Sequence, residues 1–296
     1  MNMLEYYESR KKLVDEAVLK FLESEKLTDF ETPKGGKRLR GVLVLLVCEA
    51  LGCNVNEALD GAVAVELAHA ASLDVDDIVD LDILRRGKPA EWVRKGITKV
   101  ALGSHALVAS SMKIVEKYGS EALSIFVDTY GRMVRGEIMD LKLESLYESV
   151  IAAKTASLYA AAATLGALIA RRSDLRNLAY NYGLYTGIAF QIADDIVDTY
   201  EIVEEFNIRK LLEPSTLLFM GYLGLESLIR NPLKLITHGL SSIKDVVKDV
   251  AMKKLEERIR TAQSFAYQFP ESQYKPLLIQ YPELAVEFML KEGGVK

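Results

Sequence analysis

Cysteine, histidine, proline and tryptophan are scarce in this 296-residue chain, which has two, three, seven and one of them. Two cysteines, Cys48 and Cys53, exclude a disulfide framework and read as reduced core residues of an intracellular, cytoplasmic protein. Few prolines leave long stretches free of helix breakers. No run reaches the roughly 18 uninterrupted apolar residues of a membrane span; the nearest, 156–170, is short and alanine-rich. The N-terminal stretch MNMLEYYESRKKLVDEAV is charged and amphipathic, which a signal peptide is not. Excess positive charge is missing too: 37 Lys and Arg against 42 Asp and Glu give a net charge of −5, and no electrostatic case for a nucleic-acid partner.

What is present is helical patterning. Apolar residues make up 50% of the chain and charged residues 27%, ordinary globular values. Alanine-rich segments with apolar residues three and four apart cover about 4–24, 37–52, 55–80, 99–118, 120–144, 148–171, 174–200 and 214–228. No alternating strand pattern stands out. Loops are short except at about 25–36, 81–98 and 199–213. With no linker and no shift in composition, the expectation is an all-α helical bundle forming a single domain over 1–296.

One motif occurs twice: Asp76-Asp77-Ile78-Val79-Asp80 and Asp194-Asp195-Ile196-Val197-Asp198. Carboxylates at i and i+4 share a helix face, and two such faces turned together make an oxygen cage for hard divalent cations. A single copy reads as a solvated acidic patch. Two copies, each beside core-type residues such as Leu73, Val75, Phe190 and Ile192, read as carboxylates entering a core, where they need partners or metal.

Basic residues accompany the aspartates. Gly35-Gly36-Lys37-Arg38-Leu39-Arg40 sits at an expected helix start, where free N–H groups favour anions; Lys37 and Arg40, three apart, point the same way. Arg85-Arg86-Gly87 follows the first motif, and Lys154-Thr155 opens another alanine-rich segment. Each alone is an ordinary surface residue. Together they supply cations for two diphosphates.

With these stretches the chain resembles the all-trans isoprenyl diphosphate synthases, which make farnesyl, geranylgeranyl and longer prenyl diphosphates. The matching stretches, in the family's order, are GGKRLR at 35–40, ELAHAASLDVDDIVDLDILRRGKP at 66–89, GEIMDL at 136–141, KTASLYAAAATLGALIA at 154–170 and YGLYTGIAFQIADDIVD at 182–198. The resemblance implies a helical bundle around a deep central cavity, usually homodimeric. It implies a head-to-tail condensation of an allylic diphosphate with isopentenyl diphosphate, dependent on magnesium, with three ions when diphosphate is bound. Asp76 and Asp80 would hold metal on one wall and Asp194 on the other, with Asp77, Asp195 and Asp198 in support. Arg85 and Lys154 would hold the allylic diphosphate; Lys37, Arg40, His69 and Arg86 would hold isopentenyl diphosphate; Thr155 and Gln191 would line the carbocation's side. His105 and His238 match no family site. No side-chain nucleophile is required.

Product length follows from helix geometry. A chain growing away from Asp76 passes Ser72, Ala71 and Ala68, all small. At about 1.5 Å per residue, two clear turns open roughly 10 Å. The expectation is a product longer than farnesyl, geranylgeranyl first, unless a facing helix closes the tunnel through Leu107, Val108, Ser111 or Met112.

The family pattern breaks in four places, one of them His105, which stands where an aspartate is frequent. After Asp198, where Gly-Lys pairs are usual, the chain reads TYEIVEEFNIRKLLEPSTLL, with Pro214-Ser215 in place of Gly-Lys and Arg209 or Lys210 as substitute cations. Gly41 replaces the usual proline after GGKRLR. Asp74 stands at an apolar position, about 200° around the helix from Asp76 and so facing away from the metals. These departures leave two alternatives: a non-elongating regulatory subunit of a hetero-oligomer, favoured by the altered loop, and a terpene cyclase-like enzyme, disfavoured by the second complete aspartate motif.

Overall fold

The structure, a computed structural model, describes all residues except 86, 144–145, 206–209, 211–212, 226–245 and 296. Expectations for Arg86, Arg209 and His238 therefore lie outside the described residues. Among the described residues the fold is all-α apart from one short hairpin. Helix α1 (Met3–Ser24) opens on a capping box, Asn2 accepting from the Glu5 N–H while Glu5 accepts from the Asn2 N–H. Helix α2 (Leu39–Ala50) is buried along its whole length. Helix α3 (Val55–Val79) starts on a second capping box, Asn54 with Glu57, and ends inside the first aspartate motif with Asp80 as its C-cap.

A hairpin pairs β1 (Leu84–Arg85) with β2 (Lys88–Pro89) in the stretch expected to be a plain loop. The alternation signal is invisible at two residues per strand; the marker is Gly87, whose φ of 71° suits a tight turn. Helices α4 (Glu91–Lys95), α5 (Ile97–Glu116) and α6 (Ser120–Lys142) follow. The expected helix at 148–171 is α7 (Tyr147–Ile151), a π-turn over Ala152–Ala156 and α8 (Ser157–Ile169). Then come α9 (Arg176–Glu205), α10 (Pro214–Tyr222), α11 (Met252–Ala266) and α12 (Lys275–Glu292). Tyr147–Ile169 is long and apolar enough to cross a membrane, but 78% of its apolar window is buried in the protein, as in a core helix.

Two expectations about boundaries are corrected. The loop foreseen from 199 is helical to Glu205, because Thr-Tyr-Glu-Ile-Val-Glu-Glu contains nothing that breaks a helix. The helix foreseen from 37 begins at Leu39, because Gly36 (φ 112°) and the N-cap Arg38 (φ 52°) are left-handed. Lys37 therefore precedes the helix, and helical spacing does not align it with Arg40. The cysteines are also corrected: Cys48 and Cys53 form a disulfide, Cα atoms 5.3 Å apart. Helix α2 stops at Ala50, Gly52 turns the chain with φ 89°, and the Cys53 N–H reaches the Cys48 carbonyl at 3.1 Å.

The chain forms two compact units. The first comprises Met1–Tyr130, Ala161–Ala179 and Pro270–Tyr274; here α3 packs against α1, α2 and α5. The second comprises Gly131–Ala160, Tyr180–Phe269 and Lys275–Lys296; α7 packs on α10 and α11 on α12. Its core includes Ile188, Ile192, Ile196, Phe219, Val247 and Leu290, all nearly inaccessible. Each such side chain contributes about 1.5–3 kcal/mol by leaving water. The Ile188–Ile192–Ile196 row fixes the rotation of α9 and so fixes where its aspartates emerge.

Candidate active site

In the first unit, Asp76 and Asp80 are partly exposed whereas Asp77 is buried. Helix α3 stops at Val79, so these carboxylates stand at the negative end of its dipole, where a cation is favoured. Asp77 is held by Arg85 from the hairpin: Nε donates to Oδ1 and Oδ2 at 2.8 and 2.7 Å, and Nη2 also donates to Oδ1. Burial works against the Arg85 charge, but the Asp77 carboxylate outweighs it and raises the guanidinium further. Arg85, expected on the allylic diphosphate, is thus anchored to the motif itself. Asp74 faces away, as its helix phase requires, and accepts from Thr32 Oγ1 at 2.5 Å.

The residues expected on the isopentenyl side split into two sets. Arg40, 7% exposed, meets His69 across α2 and α3, with Nη1 3.0 Å from Nε2. Lys37 belongs to the left-handed turn, its carbonyl accepting from the Tyr7 hydroxyl. Gly41 has a use that proline could not serve: its N–H donates to buried Glu66 at 2.8 Å. Behind Asp76, Ala71 and Ala68 are buried and Ser72 is partly exposed, its hydroxyl donating to the His69 carbonyl.

In the second unit, the π-turn over Ala152–Ala156 carries Lys154 and Thr155, a type of irregularity that often marks functional positions. Two glycines let neighbouring helices approach it. A Cβ on Gly136 of α6 would overlap the Lys154 backbone, and one on Gly187 of α9 would come within 2.6 Å of the Ala156 Cα. Lys154 Nζ sits between Glu137 Oε2 at 2.8 Å and Asp140 Oδ2 at 2.9 Å. Thr155 Oγ1 donates to Gln191 Oε1 at 2.6 Å. The Gln191 amide nitrogen in turn donates to Asp194 at 3.0 Å and Asp195 at 3.1 Å. Both ends of the Gln191 amide are thereby committed, which fixes its dipole.

One oxygen from each of Asp194, Asp195 and Asp198 lies within 4.8 Å of the others. Such crowding carries a cost. Burial, and then the neighbouring Asp194, push Asp198 up to about 7. Burial and Asp194 also push Asp195 well up, against the opposing hydrogen bonds from Tyr147 and Gln191. Hard oxygen donors packed this closely fit a divalent cation, which relieves the repulsion. Lys210 supplies part of that relief, 3.8 Å from Asp198 and 3.0 Å from Glu201. Asp195 of the cluster lines a small open cleft together with Asp140, Tyr147, Lys154, Thr155, Gln191 and Ser215, among others. Ser215 follows Pro214 at the first helical position of α10, where proline's missing N–H costs nothing.

Sequence reasoning pointed to Lys154, Thr155, Gln191 and the second motif; the structure joins Thr155, Gln191, Asp194 and Asp195 in one hydrogen-bonded run, with Lys154 lining the same cleft but held by Glu137 and Asp140. It missed Tyr147, whose hydroxyl donates to Asp195. The signal was available: Tyr147 lies seven residues, roughly two turns, before Lys154. It also gave no role to Glu137 and Asp140, although GEIMDL was noted.

An all-α chain with two aspartate motifs, the second a cluster of carboxylates close enough to suit a divalent cation, has the make-up of a metal-dependent helical enzyme. The polyprenyl synthetase pattern matches residues 24–209, and the chain belongs to that family. It is 34% identical over 204 residues to a hexaprenyl pyrophosphate synthase of Saccharolobus solfataricus, covering 67% of this chain and 73% of that protein. It is equally 34% identical over 218 residues to a geranylgeranyl diphosphate synthase of Methanosarcina mazei, covering 67% of each. A solved geranylgeranyl pyrophosphate synthetase from Geoglobus acetivorans superposes with a TM-score of 0.77 at 24% identity, over 95% of this chain and 99% of that one. The protein is a prenyltransferase that elongates prenyl diphosphates.

Proposed function

We propose that this enzyme joins an allylic diphosphate to isopentenyl diphosphate and releases a product longer than farnesyl diphosphate, with geranylgeranyl diphosphate as the main product. The allylic C–O bond breaks and diphosphate leaves with the electron pair. The isopentenyl double bond attacks the resulting carbocation, and a proton is lost to the departed diphosphate. Asp76, Asp80 and Asp194 would hold magnesium, with Asp77, Asp195 and Asp198 as supports; when bound, the metal withdraws charge from the leaving diphosphate. Lys154 exchanges Glu137 or Asp140 for a diphosphate oxygen, and Arg85 adds charge beside the first motif. Lys37, Arg40 and His69 bind isopentenyl diphosphate. The fixed Gln191 dipole and Thr155 face the developing cation.

The observation that carries this reading is the hydrogen-bonded run from Thr155 through Gln191 to Asp194 and Asp195, with Lys154 in the same cleft. For length, the support is Ala68 and Ala71, small and buried behind Asp76. Relatives at this level of identity make products of different lengths, so length rests on the side chains. The test is product analysis by mass after incubation with magnesium, isopentenyl diphosphate and farnesyl diphosphate. A twenty-carbon product is expected; product that stops at fifteen carbons, made from geranyl diphosphate with excess isopentenyl diphosphate, overturns the length. No condensation at all favours the regulatory-subunit reading.

The assembly proposed is a homodimer. Support comes from exposed apolar residues on α6, Val134, Ile138 and Leu141, spaced along one helix face. A sedimentation measurement giving a monomer at micromolar concentration overturns it.

A further inference from the structure

We infer that α1, which lies ahead of the stretch matched by the family pattern, is part of the isopentenyl diphosphate site, with Tyr7 and Asp15 as positioning residues for Lys37 and Arg40. This rests on the proposed roles of Lys37 and Arg40.

The turn between Gly35 and Leu39 is unusual. Gly36 has φ 112° and Arg38 has φ 52°, a left-handed conformation that is uncommon for a residue other than glycine. Three parts of the first unit hold it. Tyr7, 3% exposed, donates its hydroxyl to the Lys37 carbonyl at 2.5 Å. Asp15, two turns further along α1, accepts from Arg38 Nε at 2.8 Å. Arg38 is itself buried, and its remaining nitrogens donate to the Pro33 carbonyl at 2.7 Å and to Glu66 at 3.4 Å. Glu66 also takes the Gly41 N–H at 2.8 Å, which fixes the first turn of α2. A Cβ at Gly41 would meet Val14 of α1 at 3.1 Å, so α1 also packs directly on that turn.

Arg38 is therefore not a ligand but the buried peg of the loop, and α1 carries two of the groups that set it. Lys37 stands on one side of the peg and Arg40 on the other. The direction of both cations depends on a backbone conformation that the α1 contacts select. Removing the Tyr7 hydroxyl keeps the ring and its packing but takes this donor from the Lys37 carbonyl.

The experiment measures steady-state constants for both substrates with the full chain and magnesium, for Tyr7→Phe, Asp15→Asn and Lys37→Ala. Tyr7→Phe and Asp15→Asn are expected to raise the isopentenyl diphosphate KM about 3- to 10-fold, with kcat and the allylic KM within twofold of the parent. A purely structural role would move both KM values together or lower kcat alone, and either result overturns the inference. If Lys37→Ala raises the isopentenyl KM while the two α1 variants leave it unchanged, the inference fails and the site assignment stands. If Lys37→Ala leaves that KM unchanged, the site assignment fails and the inference with it. Should Tyr7→Phe not fold, Asp15→Asn decides on the same criteria.

Discussion

The hydroxyl of Tyr147 donates to the carboxyl of Asp195, and both groups are buried in the second unit. The Tyr147 ring is packed against Phe219 and Tyr222 of α10, with centroids 5.4 and 4.6 Å away. Burial and Asp195 raise the phenol well above its ordinary value, so it remains a donor at any working pH. Tyr147→Phe keeps the ring contacts and removes only the hydroxyl. The expected cost is about 1–3 kcal/mol, the range for leaving a buried acceptor short of its donor, read from urea unfolding. A change below the error of the measurement would show that Asp195 finds another partner.

The second motif makes metal binding depend on pH. Asp198 titrates at about 7 and Asp195 well above its ordinary value, in both cases chiefly through burial. Below that range the folded cluster holds protons, which a cation must displace. The magnesium concentration for half-maximal activity is expected to rise by up to about tenfold per pH unit below 7. The metal-free protein behaves in the opposite sense. Its folded state binds these protons more tightly than the unfolded chain, so stability falls as pH rises from the ordinary carboxylate range through about 7. Melting temperatures with and without magnesium and pyrophosphate should therefore diverge more at pH 8 than at pH 5.5, and equal gains at the two values would contradict this.

Both aspartate motifs, the basic residues and most helix centres were legible in the sequence, because helical periodicity and local spacing encode them directly. What stayed hidden depends on contacts between residues far apart in sequence. Nothing near Tyr7 announces that its hydroxyl reaches Lys37, and nothing near Gly41 announces Glu66. The π-turn at Lys154–Thr155 meets close approach at Gly136 and Gly187, contacts that local spacing does not reveal. The two-residue strands around Gly87 were below the length at which alternation can be seen. The left-handed Arg38 was missed because the residue type argues against it and only its buried partners argue for it.

Asp74 illustrates a cost carried beside the site. Burial raises its carboxyl from the ordinary value to about 6, although the Thr32 hydroxyl opposes the shift. Its Oδ2 is buried and has no hydrogen-bond partner among the described residues. The folded state thus favours the protonated form, and the penalty grows as pH rises through about 6. Asp74→Asn retains an acceptor for Thr32 and cannot ionise. It is expected to stabilise the protein by about 1–3 kcal/mol at pH 8 and to change little at pH 4. Chemical unfolding at the two values checks this, and destabilisation at pH 8 would show that the ionised carboxylate serves the fold.

Lys210 lies 3.8 Å from Asp198, in the stretch where this chain departs from the family's usual lysines. Burial opposes its charge, but Asp198 and Glu201 outweigh that effect and raise it. Lys210→Ala is expected to raise the allylic diphosphate KM about 5- to 10-fold, roughly 1–1.4 kcal/mol of binding, with the isopentenyl KM unchanged. Lys210→Arg should recover most of the loss, since charge rather than shape is at issue. Unaltered kinetics in Lys210→Ala would place the compensating charge elsewhere.

Ala71 tests product length. It lies five residues before Asp76, about 7.5 Å along α3, and it is fully buried. On the proposed path the growing chain passes this position after the first added unit, so a ring here should stop elongation early. Ala71→Phe is expected to shift the main product at least one isoprene unit shorter. Because the site is packed, it should also destabilise by about 1–3 kcal/mol, which melting would show independently. Ala71→Leu, smaller than the ring, should give a mixture of the two lengths. If both variants make the parent product at reduced rate, the chain does not run along this face of α3, and the residue that limits it must be sought on α5, where Leu107 and Ser111 are buried.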